Sequence, residues 1–302
     1  MRFGVLVLVL LVPAVLAAPQ ALERTQPVKV DIDLVLVNAA VTDPDGRSVT
    51  GLDKTRFQIW EDRIQQEIQY FSTTEVPLSL AVVFDVSSSM ADKLPVSRDA
   101  VAAVLKMGNP DDEYALIEFN SRPKMVQDFA PASSRLESEI ASTSATGSTA
   151  LYDAVYLGIE KLRQSHNPRK ALLLVTDGED NHSRYSFSDI KELAMESEVQ
   201  LFAIRIGGFI SPTSTKGHKS GSAVLQELVN LTGGEVFFAG NVQKLDEICA
   251  NISETLRNEY VIGYAPTNTN KDGKWRGLKL KVNATTSRIS VHARSGYYAP
   301  TQ

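Results

Sequence analysis

Two almost continuous apolar runs have the length of strands. Residues 78–84 read Leu-Ser-Leu-Ala-Val-Val-Phe, and residues 171–175 read Ala-Leu-Leu-Leu-Val. An apolar run that ends at a turn signal is typical of a strand buried on both faces. The first run is followed by Asp85 and the second, after one threonine, by Asp177. The pattern therefore predicts two central strands, each with a carboxylate at its carboxyl end.

The region from residue 76 to residue 258 alternates between strand and helix patterns. The predicted strands are 78–85, 114–119, 171–177, 199–206 and 235–239, with a short antiparallel edge strand at 123–129. The predicted helices are 95–107, 149–164, 187–197, 222–231 and 242–257. Such alternation predicts an α/β fold, a doubly wound and mostly parallel sheet with helices on both faces. Ligands of such sheets bind outside the carboxyl ends of the strands, where Asp85 and Asp177 lie.

Both flanks of this region are rich in strand patterns. The predicted flanking strands are 28–37, 57–61, 64–71, 259–264, 275–282 and 289–293, with residues 271–274 as the hairpin turn between the fourth and the fifth. Neither flank has enough strands to bury a core comfortably alone. We therefore expect the flanks, residues 18–75 and 259–302, to form one small β-sandwich into which the α/β domain of residues 76–258 is inserted.

The turn after the first apolar run carries the candidate chemistry. It reads Asp85-Val86-Ser87-Ser88-Ser89, so one carboxylate and two hydroxyls stand at alternate positions. Oxygen ligands with little net charge suit a hard cation such as Mg²⁺, which would still attract an anion from outside. Taken alone, a serine-rich turn after a strand can also be simply a turn. Two further segments favour the metal site, because Thr149 follows a Gly-Ser turn and Asp177 ends the second apolar run.

The set Asp-x-Ser-x-Ser, loop threonine and Thr-Asp-Gly resembles the metal-ion-dependent adhesion site of von Willebrand factor type A (VWFA) domains. The resemblance implies a single Mg²⁺ or Mn²⁺ ion. It implies that Ser87 and Ser89 bind the metal directly, and that Thr149 binds it directly or through water. Asp85 and Asp177 would mostly hold the coordinating waters and hydroxyls. The Asp or Glu side chain of a partner protein would complete the coordination shell.

The flanks resemble a bacterial exported subfamily known only as VWFA-related. The likeness lies in Val-Thr-Asp-x-x-Gly at 41–46, Tyr-x-x-Gly-Tyr at 260–264 and Ala-Arg-x-Gly-Tyr at 293–297. With these motifs the resemblance extends over nearly the whole chain after residue 17. It implies a fold and a metal site, but little about biological role.

The first 17 residues predict export. Arg2 precedes an apolar stretch that ends in Val15-Leu16-Ala17, which is typical of a secretory signal peptide with a small-residue cleavage site. We expect a secreted protein, periplasmic or extracellular, without a transmembrane segment after signal removal. The net charge of −5 argues against nucleic acid as a partner. The single cysteine, Cys249, has helical spacing to apolar neighbours, which predicts a helix position at or beside the core.

The segments around the site leave three classes of function open. Residues 207–222 have the composition of a mobile loop beside the metal end of the sheet, and Glu179, Asp180 and His182 follow on the same rim. A metal-dependent, non-enzymatic protein-binding module is the favoured hypothesis. A Mg²⁺-dependent hydrolase or phosphoryl-transfer enzyme using Asp85 is the main rival, although aspartyl-phosphate phosphatases carry a second Asp where Ser87 stands here. The third class is a structural or assembly subunit that docks without metal.

Overall fold

The structure is a computed structural model that describes residues 34–106, 108–132, 134–207, 221–239, 245–283 and 288–301. The predicted signal peptide (1–17), the start of the N-terminal flank and most of the predicted loop 207–222 lie outside the described residues. Among the described residues, no helix is both long enough and apolar enough to cross a bilayer.

The described residues form the following strands and helices, each numbered in chain order. The strands are β1 (Val35–Thr42), β2 (Phe57–Glu61), β3 (Ile64–Gln66), β4 (Ile68–Ser72), β5 (Leu78–Asp85), β6 (Glu113–Phe119), β7 (Pro123–Ala130), β8 (Arg169–Thr176), β9 (Gln200–Ile206), β10 (Val236–Ala239), β11 (Tyr260–Tyr264), β12 (Trp275–Val282), β13 (Ser290–Ala293) and β14 (Gly296–Tyr298). The helices are α1 (Leu94–Lys106), α2 (Ser134–Ser142), α3 (Leu151–Arg163), α4 (Phe187–Glu196), α5 (Gly221–Thr232) and α6 (Leu245–Arg257).

A six-stranded sheet in the order β10-β9-β8-β5-β6-β7 forms the centre of the α/β region. All neighbouring strands in it are parallel except the edge strand β7, which pairs antiparallel with β6. The two apolar runs of the sequence are the adjacent middle strands β5 and β8, with Phe84 opposite Val175. The predicted α/β class, the parallel sheet and its antiparallel edge are therefore confirmed.

The central sheet separates two apolar cores. Along β5 every residue is buried, and alternate side chains enter opposite cores, Val82 and Phe84 on one face and Ala81 and Val83 on the other. Helices α1, α2 and α6 cover the first face, and helices α3, α4 and α5 cover the second. Cys249 lies in α6, buried in the first core as its spacing predicts. Strands buried on both faces explain why the sequence runs are continuous rather than alternating.

The flanks form two further four-stranded antiparallel sheets, in the orders β13-β1-β11-β4 and β14-β12-β2-β3. Each sheet takes strands from both flanks, and side chains of the two sheets share a third apolar core. Ile59 of one sheet and Ile262 of the other are both fully buried there. The antiparallel sheets expected from the flanks are thus present, built by the N-terminal and C-terminal segments together.

The tyrosines of the two C-terminal motifs stabilise this third core through hydrogen bonds and ring packing. Tyr264 and Tyr297 each donate a hydrogen bond to Oε2 of Glu61, at 2.7 and 2.8 Å. Glu61 is only 2% exposed, so its charged oxygens depend on these donors. Tyr260 packs against Phe57 and donates to the carbonyl of Val49 at 2.8 Å. The motif residues therefore have a structural role, far from the candidate chemistry.

Two details of the flank predictions are wrong, and two elements are absent from the predictions. The segment 64–71 is not one hairpin strand, because it divides at Glu67 into β3 and β4, which belong to different sheets. Residues 271–274 do not join a hairpin, since β11 and β12 also lie in different sheets and Asp272 instead bridges to Thr301. Helix α2 and strand β14 were not predicted. Helix α2 has only Leu136 and Ile140 as buried apolar residues, too few for a clear periodic signal.

Candidate functional site

Asp85 is the last residue of β5 and lies at the carboxyl end of the sheet. It is fully buried. Its Oδ2 accepts a hydrogen bond of 2.6 Å from the hydroxyl of Thr176, and its Oδ1 accepts one of 2.9 Å from the amide of Ser87. Thr176 ends the neighbouring strand β8, so pairing between the two middle strands brings the donor to the carboxylate. The side chain of Asp85 is thus held in one orientation.

Ser87 and Ser89 face each other across the turn that follows Asp85. Their hydroxyl oxygens are 3.1 Å apart, with Ser87 buried and Ser89 exposed. The turn is closed by the amide of Met90, which donates to the carbonyl of Ser87 at 3.0 Å. Met90 is itself fully buried in the first core and anchors the turn from below. The turn therefore presents two hydroxyls from the protein interior towards solvent.

Thr149 lies in the loop before α3, directly beside this turn. The amide of Ser88 donates to the carbonyl of Gly147 at 3.0 Å, which ties the two loops together. The amide of Thr149 donates to Oδ1 of Asn181 at 2.9 Å, and its carbonyl accepts from the amides of Asn181 and His182. Thr149 is 2% exposed. The loop that carries Thr149 is thus held between the serine turn and the segment that follows Asp177.

Asp177 directly follows β8 and is 9% exposed. Its Oδ2 accepts a hydrogen bond of 2.8 Å from the ammonium group of Lys93, and the hydroxyl of Ser89 lies near enough to help lower the pKa of this carboxylate. Gly178 follows with φ of +90°, and a Cβ there would come within 3.1 Å of the backbone of Gly221. A glycine is therefore needed for the chain to turn away under the first residues of α5.

The two carboxylates have pKa values shifted in opposite directions. Burial raises the pKa of Asp85, and the nearby charge of Asp177 adds to this, although the hydrogen bonds from Thr176 and Ser87 oppose it. Burial alone would also raise the pKa of Asp177, but the hydrogen bonds from Lys93 and Ser89 and the positive charge of Lys93 outweigh it, so the pKa is lowered. Asp177 is thus the better anion of the pair.

The structure joins three of the five predicted residues by hydrogen bonds, Asp85, Ser87 and Ser89, and places Asp177 and the loop of Thr149 beside them. Carboxylate and hydroxyl oxygens suit a small hard cation. Among the described residues, no cluster of three or more His, Cys, Asp or Glu side chains could hold a metal ion. Any divalent ion at this site would accordingly depend on the hydroxyl groups, and the ammonium of Lys93 already occupies a cation position against Asp177.

Three residues of the site were missed or misread in the sequence. Thr176 belongs to the Thr-Asp-Gly motif, but its hydrogen bond to Asp85 depends on the register between β5 and β8. Lys93 carries no motif at all. Asp180, read as extra acid on the rim, instead accepts a hydrogen bond of 2.8 Å from the amide of Leu151 at the start of α3. It therefore caps the helix that follows Thr149, while Glu179 and His182 are exposed on the rim.

Solved structures with similar folds come from distant sources. A von Willebrand factor type A protein from Catenulispora acidiphila aligns with a TM-score of 0.53 and 12% identity, over 89% of this chain and 63% of that one. Proximal thread matrix protein 1 from the mussel byssus aligns with a TM-score of 0.52 and 17% identity, over 65% of this chain and 51% of that one. At these identities the likeness extends to the fold alone.

Sequence comparison points to the same group of domains. The human inter-alpha-trypsin inhibitor heavy chain H4 is 26% identical over 164 residues, which are 48% of this chain and 18% of that protein. The chain thus spans less than a fifth of the length of this curated relative. The sequence model of the von Willebrand factor type A domain matches residues 79–251, more than half of the chain. Domains of this type generally act in protein–protein interaction and adhesion and are typically non-enzymatic, and those with the adhesion-site motif bind divalent ions. The chain belongs to the von Willebrand factor type A domain family.

Proposed function

We propose that this protein is a secreted, metal-dependent protein-binding module. Asp85, Ser87, Ser89, Thr149 and Asp177 would hold Mg²⁺ or Mn²⁺, and a partner protein would supply an Asp or Glu carboxylate. The observation that carries the proposal is the hydroxyl pair of Ser87 and Ser89, 3.1 Å apart and open to solvent on one side, between two carboxylates at adjacent strand ends.

The division of roles follows from burial and hydrogen bonding. Asp85 is fully buried with both oxygens already bonded, so it suits an indirect role in orienting Ser87 and bound water. Ser89 is exposed whereas Ser87 is buried, so Ser89 stands closer to an incoming partner. A bound divalent ion would supply a positive charge that two neutral hydroxyls, and carboxylates already engaged by hydrogen bonds and by Lys93, would leave largely uncancelled. A partner carboxylate would then form a charge-assisted contact in a partly desolvated site.

A carboxylate alone should bind weakly, because the new contact must offset the removal of water from Mg²⁺. A partner protein that adds surrounding contacts should bind much more tightly. Replacing one acidic residue of the partner by its amide keeps its shape and removes its charge. We expect this single change to abolish binding.

The metal test is a calorimetric titration of the protein with Mg²⁺ and with Mn²⁺. Wild type should bind one ion, while Asp85→Ala and the isosteric Asp85→Asn should bind none. Asp128→Ala is the matched control, because Asp128 is an exposed carboxylate of the edge strand β7 that forms an ion pair with Lys161 of α3. Heats that are equal for wild type and the Asp85 variants would refute the site assignment. Circular dichroism of each variant shows whether it is folded.

The partner test is an affinity capture from the envelope and culture fluid of the source cells. Wild type and Asp85→Asn serve as baits, each with Mg²⁺ and with chelator. A protein retained only by wild type with metal is the candidate partner. Capture that ignores both chelator and variant would favour the metal-independent assembly subunit. Hydrolysis of phosphate esters or peptides that requires Mg²⁺ and disappears in Asp85→Asn would favour the enzyme.

A further inference from the structure

A lysine side chain contacts one of the two carboxylates of the proposed metal site. The Nζ atom of Lys93 lies 2.8 Å from Oδ2 of Asp177, and the two side chains are 28% and 10% exposed. Both groups are thus partly withdrawn from water, where an ion pair is screened less than on the open surface. Lys93 is a charged neighbour of the site that neither the sequence motif nor the family assignment includes.

The position of Lys93 is fixed by the backbone on both sides. Its amide donates to the carbonyl of Met90 at 2.9 Å, and its carbonyl accepts from the amide and the hydroxyl of Ser97, at 3.0 and 2.8 Å. The stem is confined by Gly207 at the end of β9, where a Cβ would lie 3.4 Å from Cε of Lys93. The lysine therefore reaches Asp177 from the residue before α1, with its stem beside Gly207.

Lys93 neutralises the negative charge of Asp177, which would otherwise attract a metal ion. Its ammonium donates to the same carboxylate that Ser89 contacts, so it cancels the negative charge beside the two serine hydroxyls. A divalent cation brought next to Asp177 would meet this positive charge at short range. Like charges that share one carboxylate weaken each other's binding. The ammonium group and a metal ion cannot both bind Asp177 at full strength.

We propose that Lys93 is a resident cation that competes with the divalent ion for Asp177. This proposal rests on the proposed metal site and concerns its regulation. Lys93 sets the metal affinity low, and metal binding releases its ammonium group from Asp177. The 28% exposure of the lysine side chain gives the released ammonium a path to solvent at the rim. In the absence of metal, the ammonium group of Lys93 holds Asp177 in place.

The test measures metal occupancy directly. Mn²⁺ is titrated into the protein, and the EPR signal of the free ion reports its affinity for wild type, Lys93→Met, Lys93→Arg and Lys191→Met. Lys93→Met keeps the stem and removes the charge, so the affinity for Mn²⁺ should rise by about ten- to a hundredfold, the range that corresponds to one charged hydrogen bond. Lys93→Arg keeps a cation and should stay near wild type. Lys191→Met is the control, since Lys191 pairs with Glu227 at 2.9 Å away from the site.

A second readout follows the lysine itself. With ¹³Cε-labelled lysine, the resonance missing from Lys93→Met should shift when Mg²⁺ is added to wild type, and should not shift in Asp85→Asn. Tighter Mn²⁺ binding by Lys93→Met together with this shift supports competition. If Lys93→Met binds equally or more weakly while Asp85→Asn abolishes binding, the competing role is overturned and the metal site stands. If neither wild type nor any of the lysine variants binds Mn²⁺, the proposed metal site is refuted, and the proposed role of Lys93 is refuted with it.

Discussion

Replacement of Thr176 by valine should destabilise the protein strongly, although the two side chains have nearly the same shape. Thr176 is fully buried at the end of β8. Its hydroxyl donates to Oδ2 of Asp85 at 2.6 Å and accepts from the amide of Gly178 at 3.0 Å. Valine removes both bonds and leaves the carboxylate and the amide without these partners.

The size of the effect follows from the two lost bonds. A hydrogen bond to a charged group contributes about 1.5–3 kcal/mol, and a buried donor left without an acceptor costs about 1–3 kcal/mol. The free energy of unfolding should therefore fall by about 2.5–6 kcal/mol. The loss of one hydrogen bond to Asp85 should also raise the pKa of that carboxyl further, because burial is no longer opposed as strongly.

The assay is urea unfolding followed by circular dichroism, with Thr255→Val as the matched control. Thr255 is 1% exposed, and its hydroxyl has no hydrogen-bond partner among the described residues. Valine at position 255 should leave the unfolding midpoint unchanged or raise it, because no bond is lost. A Thr176→Val midpoint equal to that of Thr255→Val would refute the idea that this hydroxyl holds the end of the sheet.

Two further substitutions test the packing and the electrostatics around the site. Asp153→Asn should lower the free energy of unfolding by about 1–2 kcal/mol at neutral pH. Burial alone would raise the pKa of Asp153, but hydrogen bonds from the Arg184 guanidinium and from the amides of Arg184 and Tyr185 outweigh burial and lower it. A carboxylate whose pKa is lowered in the folded state stabilises the fold above its unfolded pKa of about 3.9, and this stabilisation is lost as the pH falls through the folded pKa. Thermal unfolding should therefore show the difference in stability between variant and wild type closing below about pH 4, and a constant difference would contradict this. Gly158→Ala should destabilise by about 1 kcal/mol in urea unfolding, because the new Cβ would lie 2.6 Å from Cδ1 of Leu172, and the cost of overpacking, about 1–3 kcal/mol, exceeds the helix-propensity gain of about 1 kcal/mol. A stabilised variant would show that α3 moves aside freely.

The sequence predicts the central sheet well because its physical signal is local. The middle parts of both strands are buried on both faces, so their runs are almost continuously apolar, and each run ends at the polar turn that carries the carboxylate. The bond between Thr176 and Asp85 has no such signal, since it depends on which strands are neighbours and in what register. The contact between Lys93 and Asp177 depends in addition on the path of a long side chain.

The wrong hairpin at 271–274 has a similar cause. The turn signal at 271–274 is local, and Gly273 does have φ of +65°. A local turn signal does not show whether the strands on its two sides pair with each other. Membership of a sheet is decided elsewhere, by β1 and β4 around β11 and by β2 and β14 around β12. The signal peptide and the loop stay predictions, because residues 1–33 and 208–220 fall outside the described residues.

The interleaving of the two flanks sets an order of events during synthesis. Strand β1 bonds to β11 and β13, which begin at Tyr260 and Ser290, so its partners emerge only after the whole α/β domain. Until then the chain before residue 76 carries strands with unpaired edges, which are prone to join other chains. The α/β domain, whose strands pair among themselves, can form first, and the final 43 residues, 260–302, then complete both outer sheets. A chain that stops at residue 258 would leave β1 without either of its neighbours, and such a product should aggregate rather than persist as a smaller folded protein.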